Sequence, residues 1–181
     1  MPNCQYSSNE KRLTRIQDSY RLEYLEEEVK VQYNDALDVS LEGTVIDSKA
    51  GDINSIPLWL AQNLSESGIV TIQDKDEAAY LSRTLNLERI AKAHDLSSVN
   101  ADFYIRVSDF LSSLGEKDRE RIIVSLNPFV VSRIEKIVKL AAASALSPTI
   151  RDKLSVEERE LYNLIHESTA AFKKRVIKKF D

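Results

Sequence analysis

The sequence predicts an α+β protein in which a small N-terminal β-rich domain precedes a helical-bundle domain. Between residues 29 and 46 apolar and polar residues alternate, as in strands with one buried face. From residue 74 onward apolar residues recur every three or four positions, the period of a helix. Glycine and proline number only four each in 181 residues, too few for a fold with many tight turns. The predicted domains are therefore 1–73 and 74–181.

The predicted β domain includes a charged, helical N-terminal extension over residues 9–28. VKVQY (29–33) alternates strictly and is predicted to be a strand. LDVSLEGTVI (37–46) also alternates, and Gly43 is expected to mark a bend or bulge within it. Residues 47–55 are rich in turn-forming types and are expected to form a loop.

A short helix is predicted in the segment SIPLWLAQNLSESGIVTI (55–72), with the final IVTI as a third strand. Pro57 suits the first turn of this helix, and Gly68 suits the position just past its end. Because a small sheet cannot bury a face alone, the helix is expected to cover it. Pro57, Trp59 and Leu60 then form a structural wedge, with Trp59 under the helix or at the junction with the next domain. The alternative for Trp59 is a partner-binding hot spot.

The helical domain is predicted to contain at least four helices. The first follows Asp74, which has a glutamate three residues later as in a capping box. The second lies within residues 97–115 and the third within 116–126. Asn127 and Pro128 are expected to end the third helix and to start a fourth, as cap and first helical residue.

The last helix has the clearest predicted start. After a predicted loop at 147–153, Ser155 and Glu158 have the spacing of a capping box. The helix ends in the basic stretch KKRVIKK (173–179), which complements the negative end of the helix dipole. The same cations suit phosphates, so a nucleic-acid-binding module using this helix is the alternative function.

The sequence contains no recognisable catalytic or metal-binding pattern. His94 and His166 lie far apart, and neither belongs to an HExxH motif. The single cysteine, Cys4, cannot form an internal disulfide, which favours a reducing compartment. We expect no enzymatic activity, no cofactor, no metal ion and no membrane insertion. An enzyme with an unrecognised site is a third possibility, which would require a cluster of perturbed titratable groups. His94 and His166 brought together beside a carboxylate would favour it.

The segment PLWLAQNL (57–64), in a chain with the β domain first, resembles the GINS complex of archaeal and eukaryotic DNA replication. FYIRVSDFLSSL (103–114) is similar to the second helix of that family. SRIEKIVKLAAAS (132–144) and LSVEERELYNLI (154–165) are similar to its later helices. The chain resembles the β-domain-first class, which comprises an archaeal subunit and the eukaryotic partners two and three of the Sld-five subunit.

The resemblance extends over residues 22–180, and residues 22–43 look like the lead-in to the first hairpin of partner two. Residues 1–21 have no counterpart in the family. The loop at 47–55 has less glycine and proline than eukaryotic relatives, which favours an archaeal source.

What the resemblance implies is a non-catalytic scaffold subunit that works at the replication fork, in the cytoplasm of an archaeon or the nucleus of a eukaryote. Family members form a heterotetramer with an α-domain-first subunit. That assembly joins the MCM helicase and a RecJ-like replication factor, and it contacts primase or polymerase.

Apolar residues along the last two long helices are predicted to form the protein interface, because stable complexes bury large apolar surfaces. The alternative is that these residues serve only the bundle of this chain. The predicted interface residues are Ile134, Val138, Leu161, Ile165, Phe172 and Val176.

Overall fold

The computed structural model describes residues 3–41, 44–73 and 76–177 and has an α+β fold, as predicted. A small sheet region precedes a helical region. The elements in chain order are α1 (Asn3–Leu25), β1 (Glu28–Tyr33), β2 (Leu37–Leu41), β3 (Thr44–Ser48), β4 (Ile53–Pro57), α2 (Leu58–Glu66), β5 (Val70–Ile72), α3 (Glu77–Ile90), α4 (Phe103–Ser113), α5 (Glu116–Ala143), α6 (Pro148–Arg151) and α7 (Val156–Ile177).

The chain forms two compact units. Residues Arg21–Asp76 form the first, which we call the β unit. The second, the helical unit, combines the N-terminal helix as far as Tyr20 with the chain from Glu77 onward. The sequence places the whole N-terminal extension in the β domain. The structure instead ties part of α1 to α7, through a hydrogen bond of 3.1 Å from Gln17 to Glu157.

The β unit contains a three-stranded antiparallel sheet in the order β4-β1-β5. On the central strand β1, Val29, Val31 and Tyr33 are buried, in keeping with the predicted alternation. A separate antiparallel pair consists of β2 and β3. The expected single bent strand over 37–46 is therefore wrong, and Gly43 lies outside the described residues.

The predicted loop at 47–55 is also only partly correct. β3 extends to Ser48, and β4 begins at Ile53 and pairs with β1 along its length. The first three residues of β4 are exposed, so this edge strand lacks the apolar alternation that reveals a strand in a sequence. Backbone pairing with β1, rather than side-chain pattern, makes β4 a strand.

The short helix α2 was predicted in the correct place, but its buried face differs from the expectation. Gly68 has φ +75° just past the helix end, the conformation for which glycine is favoured. Leu58 and Leu60 are buried, whereas Trp59 is 41% exposed. The prediction that Trp59 is a wedge inside the β domain is therefore wrong, and Leu58 is the fully buried residue at this point. Pro57 ends β4 and caps α2 instead of opening the helix.

Two other helix predictions are corrected in the helical unit. α5 runs without a break through Pro128, where the sequence predicts a boundary. Proline removes one helical hydrogen bond, here the one to the carbonyl of Val124, which is an exposed residue. Burial of Phe129 and Arg133 just beyond it favours continuation of the helix. Within the predicted loop at 147–153, α6 forms one short turn of helix.

Among its described residues, the helical unit has two apolar clusters, and α5 contributes to both. The first surrounds Phe103, and the centroid of its ring lies 5.3 Å from the ring centroid of Phe129. The second surrounds Tyr162 and includes Ile137 and Ala141 from α5. The long helix α5 therefore packs against both apolar clusters of the unit. The first predicted capping box cannot be assessed, because Asp74 lies outside the described residues.

Candidate protein-interaction surface

A buried cluster of charged side chains lies in the helical unit. It comprises Glu88 from α3, Arg133 and Lys136 from α5, and Glu158 from α7, all nearly inaccessible to solvent. Two positive and two negative charges make the cluster formally neutral. Ion pairs join Arg133 to both glutamates, and Lys136 to Glu88.

Arg133 uses all of its hydrogen-bond donors. Its Nε and Nη2 donate to the two carboxylate oxygens of Glu158, at 2.8 and 2.6 Å. Its Nη1 donates to Glu88 at 3.0 Å and to the carbonyl of Ser97 at 2.7 Å. Nη2 also donates to the carbonyl of Lys153, at 2.9 Å. Because a guanidinium carries five N–H groups, none is left unsatisfied.

The carboxylate of Glu158 is held in place from its own helix and from α4. The backbone N–H of Ser155 donates to it at 3.1 Å, and the Oγ of Ser155 accepts from the Glu158 N–H at 3.3 Å. This reciprocal pair confirms the predicted capping box at the start of α7. The hydroxyl of Tyr104 donates to the same carboxylate at 3.1 Å. One glutamate thus caps α7, pairs with α5 and anchors α4.

The protonation states in this cluster favour a structural role over acid–base chemistry. Burial alone would raise the pKa of Glu88, but hydrogen bonds from Lys136, Ser97 and Arg133 bring it below its ordinary value. Burial raises the pKa of Tyr104, and the adjacent Glu158 raises it further. The phenol therefore stays protonated and acts as a hydrogen-bond donor to Glu158. Neither Glu88 nor Tyr104 therefore has a pKa near neutrality, the range that suits a general acid or base.

The buried charge cluster was not predicted from the sequence, although the sequence contains a signal for it. Arg133 falls on the core-facing side of α5, at helical spacing from Phe129, Ile137 and Ala141. A charged residue at a position where the pattern requires an apolar one predicts a buried ion pair. Glu88 carries the same signal on α3, because it follows Leu81 and Thr84 at helical spacing on the buried face. Only the tertiary fold, however, brings Glu88 and Glu158 to Arg133.

The two histidines lie in different segments of the helical unit. His166 Nδ1 lies 3.0 Å from the carbonyl of Ala141, where it helps to join α7 to α5. His94 lies in the segment after α3, beside Asp95. Among the described residues, no group of three or more His, Cys, Asp or Glu side chains is arranged to hold a metal ion. None of the described helices is both long and apolar enough to cross a membrane.

Exposed apolar residues form a row along one side of α5. Val131, Ile134 and Val138 follow one another at intervals of three and four residues, and all are exposed. Val124 precedes Val131 by seven residues and is also exposed. We call these four residues the outer face of α5, because the core-facing residues of the helix lie on the other side. This spacing is that of a seam that receives another helix.

The last two turns of α7 are exposed on all sides. Residues 170–177 are all accessible to solvent, and Phe172 is 67% exposed. Lys173 Nζ donates to the carbonyl of Ala142 at 2.8 Å, so this part of α7 lies beside the C-terminal end of α5. Val176 and Ile177 are exposed as well. We call residues 170–177 the exposed end of α7.

The six predicted interface residues fall into two groups. Ile134, Val138, Phe172 and Val176 are exposed and therefore accessible to a partner. Leu161 and Ile165 are half-buried and pack against the cluster around Tyr162. These two residues therefore fit the alternative prediction, in which they serve the bundle of this chain.

Comparison with known proteins adds no assignment. No protein-family model matches the chain, and no curated protein is similar to it.

Proposed function

We propose that this chain is a non-catalytic scaffold subunit of a GINS-type complex that supports assembly and activation of the MCM replicative helicase. Its direct partner would be an α-domain-first GINS subunit in a heterotetramer. The MCM helicase, a RecJ-like factor and primase or polymerase would be further partners at the replication fork. The proposal comes from the sequence resemblance, and the structure is compatible with it.

The structural observation that supports a scaffold role is the pair of exposed apolar surfaces on α5 and α7, in a chain with a small β unit ahead of its bundle. A protein that acts alone rarely exposes rows of large apolar side chains, because their contact with water is unfavourable. Four valine and isoleucine residues along α5, with Phe172 and Val176 on α7, suit burial by another protein. The saturated charge cluster supports a rigid frame for such a surface.

Co-expression with a candidate α-domain-first GINS subunit tests the proposal directly. We expect a monodisperse heteromer by size-exclusion chromatography with light scattering. The double variant Val138→Glu/Phe172→Glu should lose the heteromer, because it places one charge on each of the two exposed apolar surfaces. Ile165 is unsuitable for this purpose, since it packs within the unit and its substitution would disturb folding.

The double variant Leu87→Glu/Ile90→Glu is the matched control, because both residues are exposed on α3, away from α5 and α7 in sequence. The control should assemble like the wild type. A chain that stays monomeric with every α-domain-first subunit would rule out the proposal. So would a double variant that assembles as well as the control.

Direct nucleic-acid binding is the second candidate, and the exposed cations of the α7 end favour it. Lys173, Lys174 and Arg175 are consecutive and solvent-accessible. A binder that neutralises phosphates loses affinity steeply as salt rises. Fluorescence anisotropy with a labelled DNA duplex at increasing NaCl would show this dependence, and the variant Lys174→Glu/Arg175→Glu should then abolish binding.

A further inference from the structure

The corner where α5 ends beside α7 combines apolar and basic side chains. Lys173 Nζ contacts the carbonyl of Ala142, which brings the two helix segments together. Val138 lies one turn before Ala142, and Phe172 directly precedes Lys173. Both apolar side chains are exposed.

Cations lie next to these apolar residues in the sequence. Lys139, Lys174 and Arg175 are exposed, in addition to Lys173. The segments 136–143 of α5 and 168–177 of α7 contain no acidic residue. This contrasts with the chain as a whole, whose formal charge is −4. We call Val138, Lys139 and residues 172–176 the basic corner.

We infer that the basic corner docks an acidic amphipathic helix of another protein, one with an apolar stripe flanked by carboxylates. The apolar stripe would cover Val138, Phe172 and Val176, and the carboxylates would meet the four cations. Charge complementarity selects the sign of the partner and its orientation. An amphipathic helix in an apolar surface is a common mode of recognition.

A nucleic acid fits the corner less well. Phosphates would meet the cations, but a duplex backbone offers no apolar surface to cover Val138 or Val176. An interfacial membrane helix presents an apolar face over many turns, whereas the exposed end of α7 spans two turns among the described residues. A protein helix satisfies both the apolar and the basic parts of the corner.

This inference rests on the proposed function in treating α5 and α7 as an interaction surface, and it adds the chemistry of the partner. The probe is a designed helical peptide with leucines at heptad a and d positions and glutamates beside them. A second peptide carries lysines in place of the glutamates. Binding of both to the full chain would be measured by fluorescence anisotropy at low and high salt.

The acidic peptide should bind and the basic peptide should not. Lys174→Glu/Arg175→Glu should weaken binding by about tenfold or more, since two exposed charge contacts become repulsive. Its matched control is Lys117→Glu/Arg121→Glu, at exposed positions in the first turns of α5. In each double variant two cations become glutamates, and each change lowers the formal charge by two. Both variants therefore have a formal charge of −8, compared with −4 for the wild type.

Phe172→Ser separates the docking of a helix from simple charge attraction. It should weaken peptide binding by about tenfold, whereas the equally exposed Ile90→Ser should have no effect. The inference is overturned if Phe172→Ser is neutral, or if both charge variants bind alike. It is also overturned if DNA duplexes or vesicles with anionic lipid bind more tightly than the acidic peptide and depend on the same residues.

The outcomes distinguish this inference from the proposed function. Peptide binding at the basic corner without a heteromer in co-expression would retain the inference and reject the GINS assignment. A heteromer that forms unchanged with Lys174→Glu/Arg175→Glu, together with no peptide binding, would retain the GINS assignment and reject the inference.

Discussion

Removal of Arg133 should destabilise the helical unit more than any surface substitution. In Arg133→Met the side chain keeps its approximate length but loses the charge and all five N–H donors. Glu88 would keep Lys136 and Ser97, and Glu158 would keep Tyr104 and the Ser155 N–H. The carbonyls of Ser97 and Lys153 would lose the hydrogen bonds that Arg133 gives them.

The expected loss in the free energy of unfolding is about 3–5 kcal/mol, the usual cost of removing one partner from a buried ion pair. Arg133→Lys should cost less, about 1–3 kcal/mol, because an ammonium keeps the charge but has only three donors for five bonds. Arg121→Met is the control, since Arg121 and Asp118 form an exposed pair at 3.6 Å. Such a pair contributes about 0–1 kcal/mol.

Urea unfolding followed by far-UV circular dichroism measures the loss, because most of the helix belongs to this unit. With an m value of about 2 kcal/mol/M, a loss of 4 kcal/mol lowers the midpoint by about 2 M. The only tryptophan, Trp59, lies in the β unit, so its fluorescence follows that unit separately. A loss below about 1 kcal/mol at unchanged m would refute the role assigned to the cluster.

Three further predictions concern other positions. Because the folded pKa of Glu88 is lowered, its contribution to stability is present above the ordinary value of 4.5 and is lost as pH falls below it. Urea midpoints from pH 7 to 3 should show this loss, and Glu88→Gln should be less stable at pH 7 with a shallower acid slope. Ser155→Ala should lower the stability of the helical unit by about 1 kcal/mol, because α7 loses its cap. Ser65→Ala, at an exposed position in α2, should leave the urea midpoint measured by circular dichroism unchanged. Leu58→Ala should destabilise the β unit by about 2–5 kcal/mol, and Trp59→Ala by less than about 1 kcal/mol. Equal thermal destabilisation by the last two would contradict the burial of Leu58 and the exposure of Trp59.

Local sequence signals predicted most helices and the central strand. The alternation of β1, the glycine at the end of α2 and the capping box of α7 are each formed by residues close together in the chain. Their conformations depend on neighbouring side chains and backbone groups, so the sequence contains the necessary information. The fold class followed from these elements.

The wrong secondary-structure predictions occurred where contacts between residues distant in sequence override local conformational preference. β4 is a strand because β1 lies beside it, although its own side chains show no alternation. α5 continues through Pro128 because packing of its core face compensates the lost hydrogen bond. The side of α2 that meets the sheet could not be chosen from the sequence, since Leu58 and Trp59 are both apolar.

The candidate surface was only partly predictable for the same reason. Helical periodicity identified apolar rows on α5 and α7, but periodicity cannot tell a row that meets the core from one that meets solvent. The tertiary structure decided that Leu161 and Ile165 pack inward and that Ile134 and Phe172 remain exposed. It also decided that Glu88 and Glu158, from separate helices, meet Arg133. The sequence by itself determined helix, strand and cap, which are set over a few residues, whereas burial and charge pairing depend on which elements become neighbours in space.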